Sequence, residues 1–203
     1  MKKGEFNNVT EYLKQFDIQR FEGYSAQVEQ QVELLKKLSS SSNVKNILEI
    51  GFNAGHSAEI FLTSNKNATV TSFDVDRHEY TLLGKEFIDQ KYPGRHTLIT
   101  GNSVIEVPKF IIANPGVVFD LIFIDGGHQY NVAKSDLENC RELAHADTIV
   151  IMDDTISNEN YLRRWNEGPN RSWREAKEAG LVKQIESVDW QVGRGCSWGN
   201  YLV

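Results

Sequence analysis

The feature that most restricts what this chain can fold into is a repeated alternation. Short apolar runs at 45–50, Ala68–Phe73, His96–Thr100, Asp120–Ile124 and Thr148–Met152 are separated by helically spaced stretches at about 55–64, 77–91, 103–113 and 129–144. Each run is too short for a helix. Strands joined through helices pair side by side in parallel, because a parallel pair needs a crossover of roughly a dozen residues or more. The pattern therefore predicts an α/β protein with an open, doubly wound sheet. Before it, residues 25–40 put Val28, Val32, Leu35 and Leu38 at helical spacing, with Ser25 as the expected cap and 39–43 as a polar turn. After it, helix-like Ser172–Gly180 leads to Val182–Val188 and Ser197–Val203, with Gly193-Arg194-Gly195 between them, which predicts a β hairpin. No internal repeat is visible. At 203 residues one unit fills the chain. The expectation is a single domain over 1–203, with 1–24 an N-terminal extension or lid and 25–203 the core.

Composition narrows the function classes. Hydrophobic residues at 40% and charged residues at 25% are those of an ordinary globular protein, which argues against disorder. No apolar run reaches the ~20 residues of a membrane helix. Met1 to Asn8 carries two lysines with no apolar stretch behind them, unlike a secretory signal, so a cytoplasmic location is expected. A formal charge of −6 is the wrong sign for a surface built to neutralise phosphates. A small-molecule partner is expected, with no nucleic acid and no membrane, and self-association is left open. Cys140 and Cys196 are far apart and form no Cys-x-x-Cys pair, so neither a disulfide framework nor a zinc site is indicated.

In a sheet of this kind ligands bind at the carboxyl ends of the strands, so polar residues there carry the chemistry. The first strand runs into Leu48-Glu49-Ile50-Gly51-Phe52-Asn53-Ala54-Gly55-His56-Ser57. Gly51 and Gly55 allow a tight turn, Asn53 tolerates a left-handed backbone, and the helix that follows offers free N–H groups. This is a cofactor loop by mechanism, though a plain turn would look similar. Asp74 ends the second strand about twenty residues on, where a carboxylate can accept from ribose hydroxyls. Asp76 is expected to cap the next helix. Asn102 and Ser103 follow the third strand, either to contact an adenine or to cap a helix. Asp125 ends the fourth strand, and Asp153 and Asp154 end the fifth. If those strands are neighbours, three carboxylates converge, and an all-oxygen set favours a hard cation such as Mg²⁺.

These residues resemble class I S-adenosylmethionine-dependent methyltransferases, in particular the small metal-dependent O-methyltransferases and the group of macrolide-sugar O-methyltransferases and cephalosporin hydroxylase. The likeness spans roughly 25–203. It rests on Leu-Glu-Ile-Gly-x-x-x-Gly-x-Ser (48–57), Phe-Ile-Asp-Gly-Gly-His-x-Tyr (123–130) and Asp153-Asp154. The resemblance implies a Rossmann-like, mostly parallel sheet of seven strands ending in an antiparallel hairpin. It implies that Glu49, Gly51 and Gly55 shape the methionine end of the cofactor site, with Asn53 in the same loop and Ser57 near the cofactor carboxylate. Asp74 would hold the ribose, Asn102 and Ser103 would flank the adenine, and Asp125, Asp153 and Asp154 would be metal ligands, with Asp125 also touching the cofactor and taking part in catalysis. His128 stands where catechol methyltransferases place a lysine base. Asn53 departs from the commonest glycine pattern, and Ala144-His145-Ala146-Asp147 replaces a frequent Pro-Gly-Gly.

The implied reaction is in-line attack of a substrate oxygen on the sulfonium methyl, assisted by Mg²⁺ or another divalent cation, with His128 removing the proton. Two adjacent hydroxyls chelate best, which favours a catechol-like phenol or a sugar diol. Tyr161, Arg163, Arg164, Trp165 and Arg171 are expected either to contact the acceptor or to form an ordinary loop. Tyr12, Phe16, Phe21 and Tyr24 either close the site or pack on the sheet. Two other classes stand beside this one: a non-catalytic cofactor- or partner-binding domain, and an NAD-dependent oxidoreductase. The latter fits poorly, since Gly51-x-Asn53-x-x-His56 is not Gly-x-Gly-x-x-Gly.

Overall fold

In the computed structural model, which describes residues 6–21 and 23–203, the alternation becomes one seven-stranded sheet. The strands are β1 (Asn46–Ile50), β2 (Thr69–Asp74), β3 (His96–Thr100), β4 (Phe119–Ile124), β5 (Ala144–Asp153), β6 (Val182–Gln191) and β7 (Arg194–Tyr201). The helices are α1 (Val9–Lys14), α2 (Glu29–Ser39), α3 (His56–Ser64), α4 (Glu79–Lys91), α5 (Ser103–Ala113), α6 (Tyr130–Arg141) and α7 (Glu167–Glu178). Spatial order is β3-β2-β1-β4-β5-β7-β6. The first five strands pair in parallel, and β7 runs antiparallel to both β5 and β6. The expected Rossmann-like sheet with its C-terminal antiparallel hairpin is therefore present.

Side-chain alternation divides the core into two layers. Ile47, Leu121, Phe123 and Ile151 face the layer that contains Leu35, Phe61 and Ile88. Leu48, Ile50, Ile122, Ile124, Val150 and Met152 face the layer that contains Val107, Leu137, Cys140 and Trp173. Burial on both faces explains why the central strands are continuous apolar runs rather than alternating ones. Both cysteines are buried free thiols. Among the described residues no helix is long and apolar enough to cross a membrane.

Several boundaries move for identifiable reasons. Ser25 opens a short 3-10 turn, and α2 begins only at Glu29, where Val28 supplies no side-chain cap. Gln31 joins Leu35 and Ser39 among the buried residues of α2, while Val32 and Leu38 are half-buried. Asp76 caps nothing: it takes a left-handed backbone, φ 53°, and its N–H donates to Asp74 Oδ1 at 2.7 Å, so α4 starts at Glu79. The pairing of Ala144 with Phe119 across an irregular register makes β5 longer than expected and ends α6 early. The last turn lies at Val192-Gly193, which places Arg194 and Gly195 inside β7.

The N-terminal aromatics mostly pack. Tyr12 is buried, and the Phe21 and Tyr24 rings lie 5.0 and 4.3 Å from the His56 ring. Thr10 Oγ1 meets His56 Nε2 at 2.9 Å, and the Val9 N–H donates to Glu59 Oε2 at 2.9 Å. Part of the N-terminal sequence read above, residues 1–5, lies outside the described residues.

Candidate active site

The Gly51–Gly55 loop, expected to take a cofactor, forms where strand order reverses, between β1 and β4. The Gly51 N–H donates to the Phe73 carbonyl at 2.8 Å, and the Asp125 N–H donates to the Ile50 carbonyl at 2.8 Å, so β2, β1 and β4 are stitched at their ends. Gly51 has φ 99°, and a Cβ there would stand 2.0 Å from the Asp125 carbonyl oxygen. Only glycine allows that approach. Asn53, φ 54°, donates its backbone N–H to Asp74 Oδ2 at 2.8 Å. The two backbone donors on Asp74 fix its carboxylate while leaving each oxygen a second acceptor position. Gly55, φ 90°, turns the chain into α3.

A cavity of about 930 Å³ opens over these strand ends, lined by Gly51, Asn53, Asp74, Val75, Gly101, Asn102, Ser103 and Asp125 among others. Glu49, Gly55 and Ser57 are not among the described residues that line it. Glu49 is fully buried and accepts from the hydroxyls of Ser57 and of Ser72, the latter at 2.5 Å. Burial pushes its pKa up to about 7, against the two hydroxyl hydrogen bonds that favour the charged form. Glu49 and Ser57 thus brace the loop, and the Ser57 hydroxyl is directed to Glu49. Asn102 caps α5, accepting from the Val104 N–H at 3.1 Å, and also lines the cavity. The cap reading of Asn102 holds, and its place on the cavity wall leaves the adenine reading open.

The other part of the cavity is lined by Asp125 and the loop after β4 through His128. β5 is the neighbour of β4, as the carboxylate argument required, but its buried Asp153 and Asp154 are not among the described residues that line the cavity. Asp125, His128 and Asp154 each offer one donor atom, all within 4.8 Å of one another. His128 Nε2 lies 3.2 Å from Asp154 Oδ2. Neighbouring donors around an octahedral cation of ~2.1 Å bond length stand ~3 Å apart, so this spacing suits such an ion. Asp153 is arranged differently. As the next residue but one after Ile151, it points into the layer of α2, where its Oδ2 accepts from Gln31 Nε2 at 2.9 Å. The structure therefore groups Asp125 and Asp154 with His128, and turns Asp153 towards α2.

Electrostatics supports a cation at this place. Burial raises the Asp154 pKa to about 8, with Asp153 adding to the rise and Arg194 opposing it. Asp125 is raised well above the carboxylate range by burial, then by Asp153 and Asp154. Asp153 is raised by burial and held down by Arg194 and Gln31. Asp153 Oδ1 and Asp154 Oδ1 are buried without a hydrogen-bond partner. Buried carboxylates of like charge, with Asp154 Oδ1 left without a hydrogen-bond partner, fit a divalent cation held by Asp125 and Asp154 beside His128.

Three positioning residues were not legible beforehand. Asn166 is fully buried and donates from Nδ2 to the Asp154 carbonyl at 2.7 Å and the Gly193 carbonyl at 3.3 Å, tying the acid turn to the hairpin. Gly168 lets α7 approach the loop that carries His128, since a Cβ there would stand 2.1 Å from the His128 carbonyl oxygen. Gln31 reaches Asp153 from 122 positions away in sequence. Only the glycine left a signal, as a small residue in a helical stretch.

The arginine- and tryptophan-rich segment divides. Arg164, Trp165 and Arg171 line the cavity beside Tyr130, and the Arg171 guanidinium lies 3.8 Å over the Tyr130 ring. Trp173 instead plugs the core and donates to Gln184 Oε1 at 2.8 Å.

Comparison with known proteins follows this geometry. A search of curated protein sequences returns no match. Among solved structures, an O-methyltransferase from Bacillus cereus in complex with SAH superposes with TM-score 0.77 at 16% identity, over 99% of this chain and 93% of that one. The O-methyltransferase TomG from Streptomyces achromogenes, involved in tomaymycin synthesis and in complex with SAM, gives 0.73 at 15%, over 95% and 87%. CalS11, a TDP-rhamnose 3′-O-methyltransferase of calicheamicin biosynthesis, gives 0.64 at 20%, over 86% and 78%. These likenesses establish the fold. The family model described as a methyltransferase domain matches residues 48–155, more than half of the chain and the span from β1 to the acid turn, which displaces the oxidoreductase reading. The chain belongs to this methyltransferase domain family.

Proposed function

We propose that this methyltransferase takes its methyl group from S-adenosylmethionine and passes it to a hydroxyl oxygen of a small acceptor beside a divalent cation. The observation that carries the reading is one continuous cavity lined both by the Gly51–Asn53–Asp74 loop and by Asp125 and His128. Gly51 and Asn53 would follow the cofactor backbone, Asp74 would accept from its ribose hydroxyls, and Asn102 and Ser103 would flank the adenine. Glu49, Gly55 and Ser57 would hold the loop in shape. SAH and SAM in two relatives of the same fold support this assignment.

Asp125 and Asp154 would hold the cation, with His128 at its edge and Asp153 behind. A bound Mg²⁺ or Mn²⁺ lowers the pKa of an acceptor hydroxyl and orients it. His128 would take the hydroxyl proton as the oxygen–methyl bond forms and the methyl–sulfur bond breaks, leaving S-adenosylhomocysteine. No enzyme nucleophile is needed. Arg164, Trp165 and Arg171 would receive the acceptor by stacking and charge. Adjacent hydroxyls suit the cation best, so a catechol-like phenol or a sugar diol is the preferred class, the sugar being the substrate type in the name of CalS11. The single domain would work in the cytoplasm.

The test is methyl transfer from S-adenosylmethionine to a panel of catechols and sugar diols, with Mg²⁺, with Mn²⁺ and with chelator. Turnover of a vicinal diol that chelator abolishes is expected. Full activity in chelator overturns the metal assistance, and transfer to nitrogen or sulfur acceptors alone overturns the hydroxyl.

A further inference from the structure

Arg194 sits behind the acid turn rather than in the cavity. Its side chain is 13% exposed, and Nη1 lies 3.9 Å from Asp154 Oδ1. Its Nη2 donates to Gln31 Oε1 at 3.0 Å, while Gln31 Nε2 donates to Asp153 Oδ2 at 2.9 Å. Gln31, buried on α2, therefore bridges the guanidinium to the one carboxylate that turns away from His128. Gly23 passes over the guanidinium, since a Cβ there would stand 3.7 Å from Nη1. The strand that carries Arg194 is fixed from the other side by Asn166, which joins the Asp154 and Gly193 carbonyls. The arginine is thus held from two elements and is not a surface side chain that happens to lie nearby.

Charge arithmetic gives this arrangement its meaning. Three ionised carboxylates bring three negative charges into a buried region, and Arg194 offsets one. The remainder equals the charge of one divalent cation. A cation held by these carboxylates would repel Arg194, so the arginine would weaken metal binding while it offsets charge in the empty cluster.

We propose that Arg194, through Gln31, is an internal counter-charge that removes Asp153 from the metal-ligand set and limits the site to one weakly held, exchangeable divalent cation at Asp125 and Asp154, beside His128. The inference rests on the metal-assisted reading above. In this chain the Asp153-Asp154 pair does two jobs: Asp154 faces the cation and Asp153 faces the arginine. Arg194 is a positioning residue, acting on the acceptor only through the carboxylates.

The experiment is calorimetric titration of Mn²⁺ into the full chain at pH 8, with the thermal midpoint measured in chelator and in Mn²⁺. Arg194→Gln is expected to bind Mn²⁺ at least about tenfold more tightly than the natural chain, because a like charge has been removed. Its midpoint should fall in chelator and rise further with Mn²⁺ than that of the natural chain. Arg194→Lys, which keeps the charge, should stay within about threefold of the natural affinity. Unchanged or weaker Mn²⁺ binding by Arg194→Gln, with the natural chain binding normally, overturns the counter-charge and leaves the metal site standing. Binding by Arg194→Gln with none by the natural chain overturns the exchangeable cation of the natural site and with it the metal-assisted reading. Binding by neither overturns both. Should Arg194→Gln fail to fold, Asp153→Asn decides the point: retention of Mn²⁺ binding within about tenfold supports Asp153 as a counter-ion, and any larger loss marks it as a ligand and overturns the proposal.

Discussion

The cavity's cofactor-side loop and the acid turn beside it, the two halves of the site, are built by different means. On the β1–β2–β3 side, the loop is shaped by backbone: Gly51 and Asn53 adopt left-handed conformations, and main-chain donors reach Phe73 and Asp74. On the β4–β5–β7 side, the site is shaped by side chains from distant segments, with Gln31, Asn166 and Arg194 converging on Asp153 and Asp154. The first half is local and specified by residue type at fixed spacing. The second is a network whose members are far apart in sequence, and its stability depends on charge.

Substitutions should separate the halves. The largest effect is expected from Gly51→Ala, whose Cβ would collide with the Asp125 carbonyl at a backbone angle that disfavours L side chains. Strain of ~1–3 kcal/mol from the backbone alone, with the clash added, should lower the thermal midpoint and abolish S-adenosylmethionine binding. Calorimetry and a melting curve check both. Next, Asp125→Asn removes a charged donor from the cation site while its backbone N–H keeps its bond to Ile50. Mn²⁺ affinity should drop at least about a hundredfold, by analogy with loss of a metal-site partner, with S-adenosylmethionine affinity within a few-fold. A parallel loss of cofactor binding would show that the halves are one unit.

The pH dependence of stability probes the floor of the first half. Burial lowers the His56 pKa to about 4, below its unfolded value near 6.5. A depressed folded pKa on a base means that stability is fully present above about 6.5 and is lost as pH falls towards 4. The loss approaches ~3 kcal/mol at ~1.4 kcal/mol per unit. Glu49 runs the other way: its folded pKa is raised to about 7, so its contribution is full below about 4.5 and is lost as pH rises through 7. His56→Gln should flatten the acid limb and Glu49→Gln the alkaline limb in denaturant titrations across pH. Identical limbs in a variant and the natural chain would contradict the corresponding assignment. The smallest effect is expected at the rim. Arg171→Ala loses an exposed cation–π contact worth ~0.5–1 kcal/mol. Its melting curve should barely move, while KM for an acceptor rises with kcat little changed.

Sequence reasoning succeeded where the determinants were local. The strand-helix alternation, the terminal hairpin, and the placement of Gly51, Asn53 and Asp74 together all follow from periodicity and spacing. Asn102 was legible as a helix cap or an adenine contact, and the cap is what the structure shows. The misses share a cause. Arg194 read as part of a turn because the glycines on either side are ordinary turn residues, yet β7 begins at Arg194 and Gly195 packs against the Thr155 carbonyl. Gln31 read as the polar face of an amphipathic helix, and its burial depends on Asp153, which no helical period reveals. Asp153 and Asp154 look equivalent side by side, but strand alternation and a left-handed Asp154 send them to different partners.

The central claim, a methyl-donor site on the β1–β2–β3 half that works without the charged half, is tested most directly by calorimetric titration of S-adenosylmethionine into the natural chain and into Asp125→Asn, each in chelator, with NADH as control. The account predicts saturable S-adenosylmethionine binding to both proteins and none of NADH. Absence of S-adenosylmethionine binding to the natural chain, or binding of NADH in its place, would contradict it.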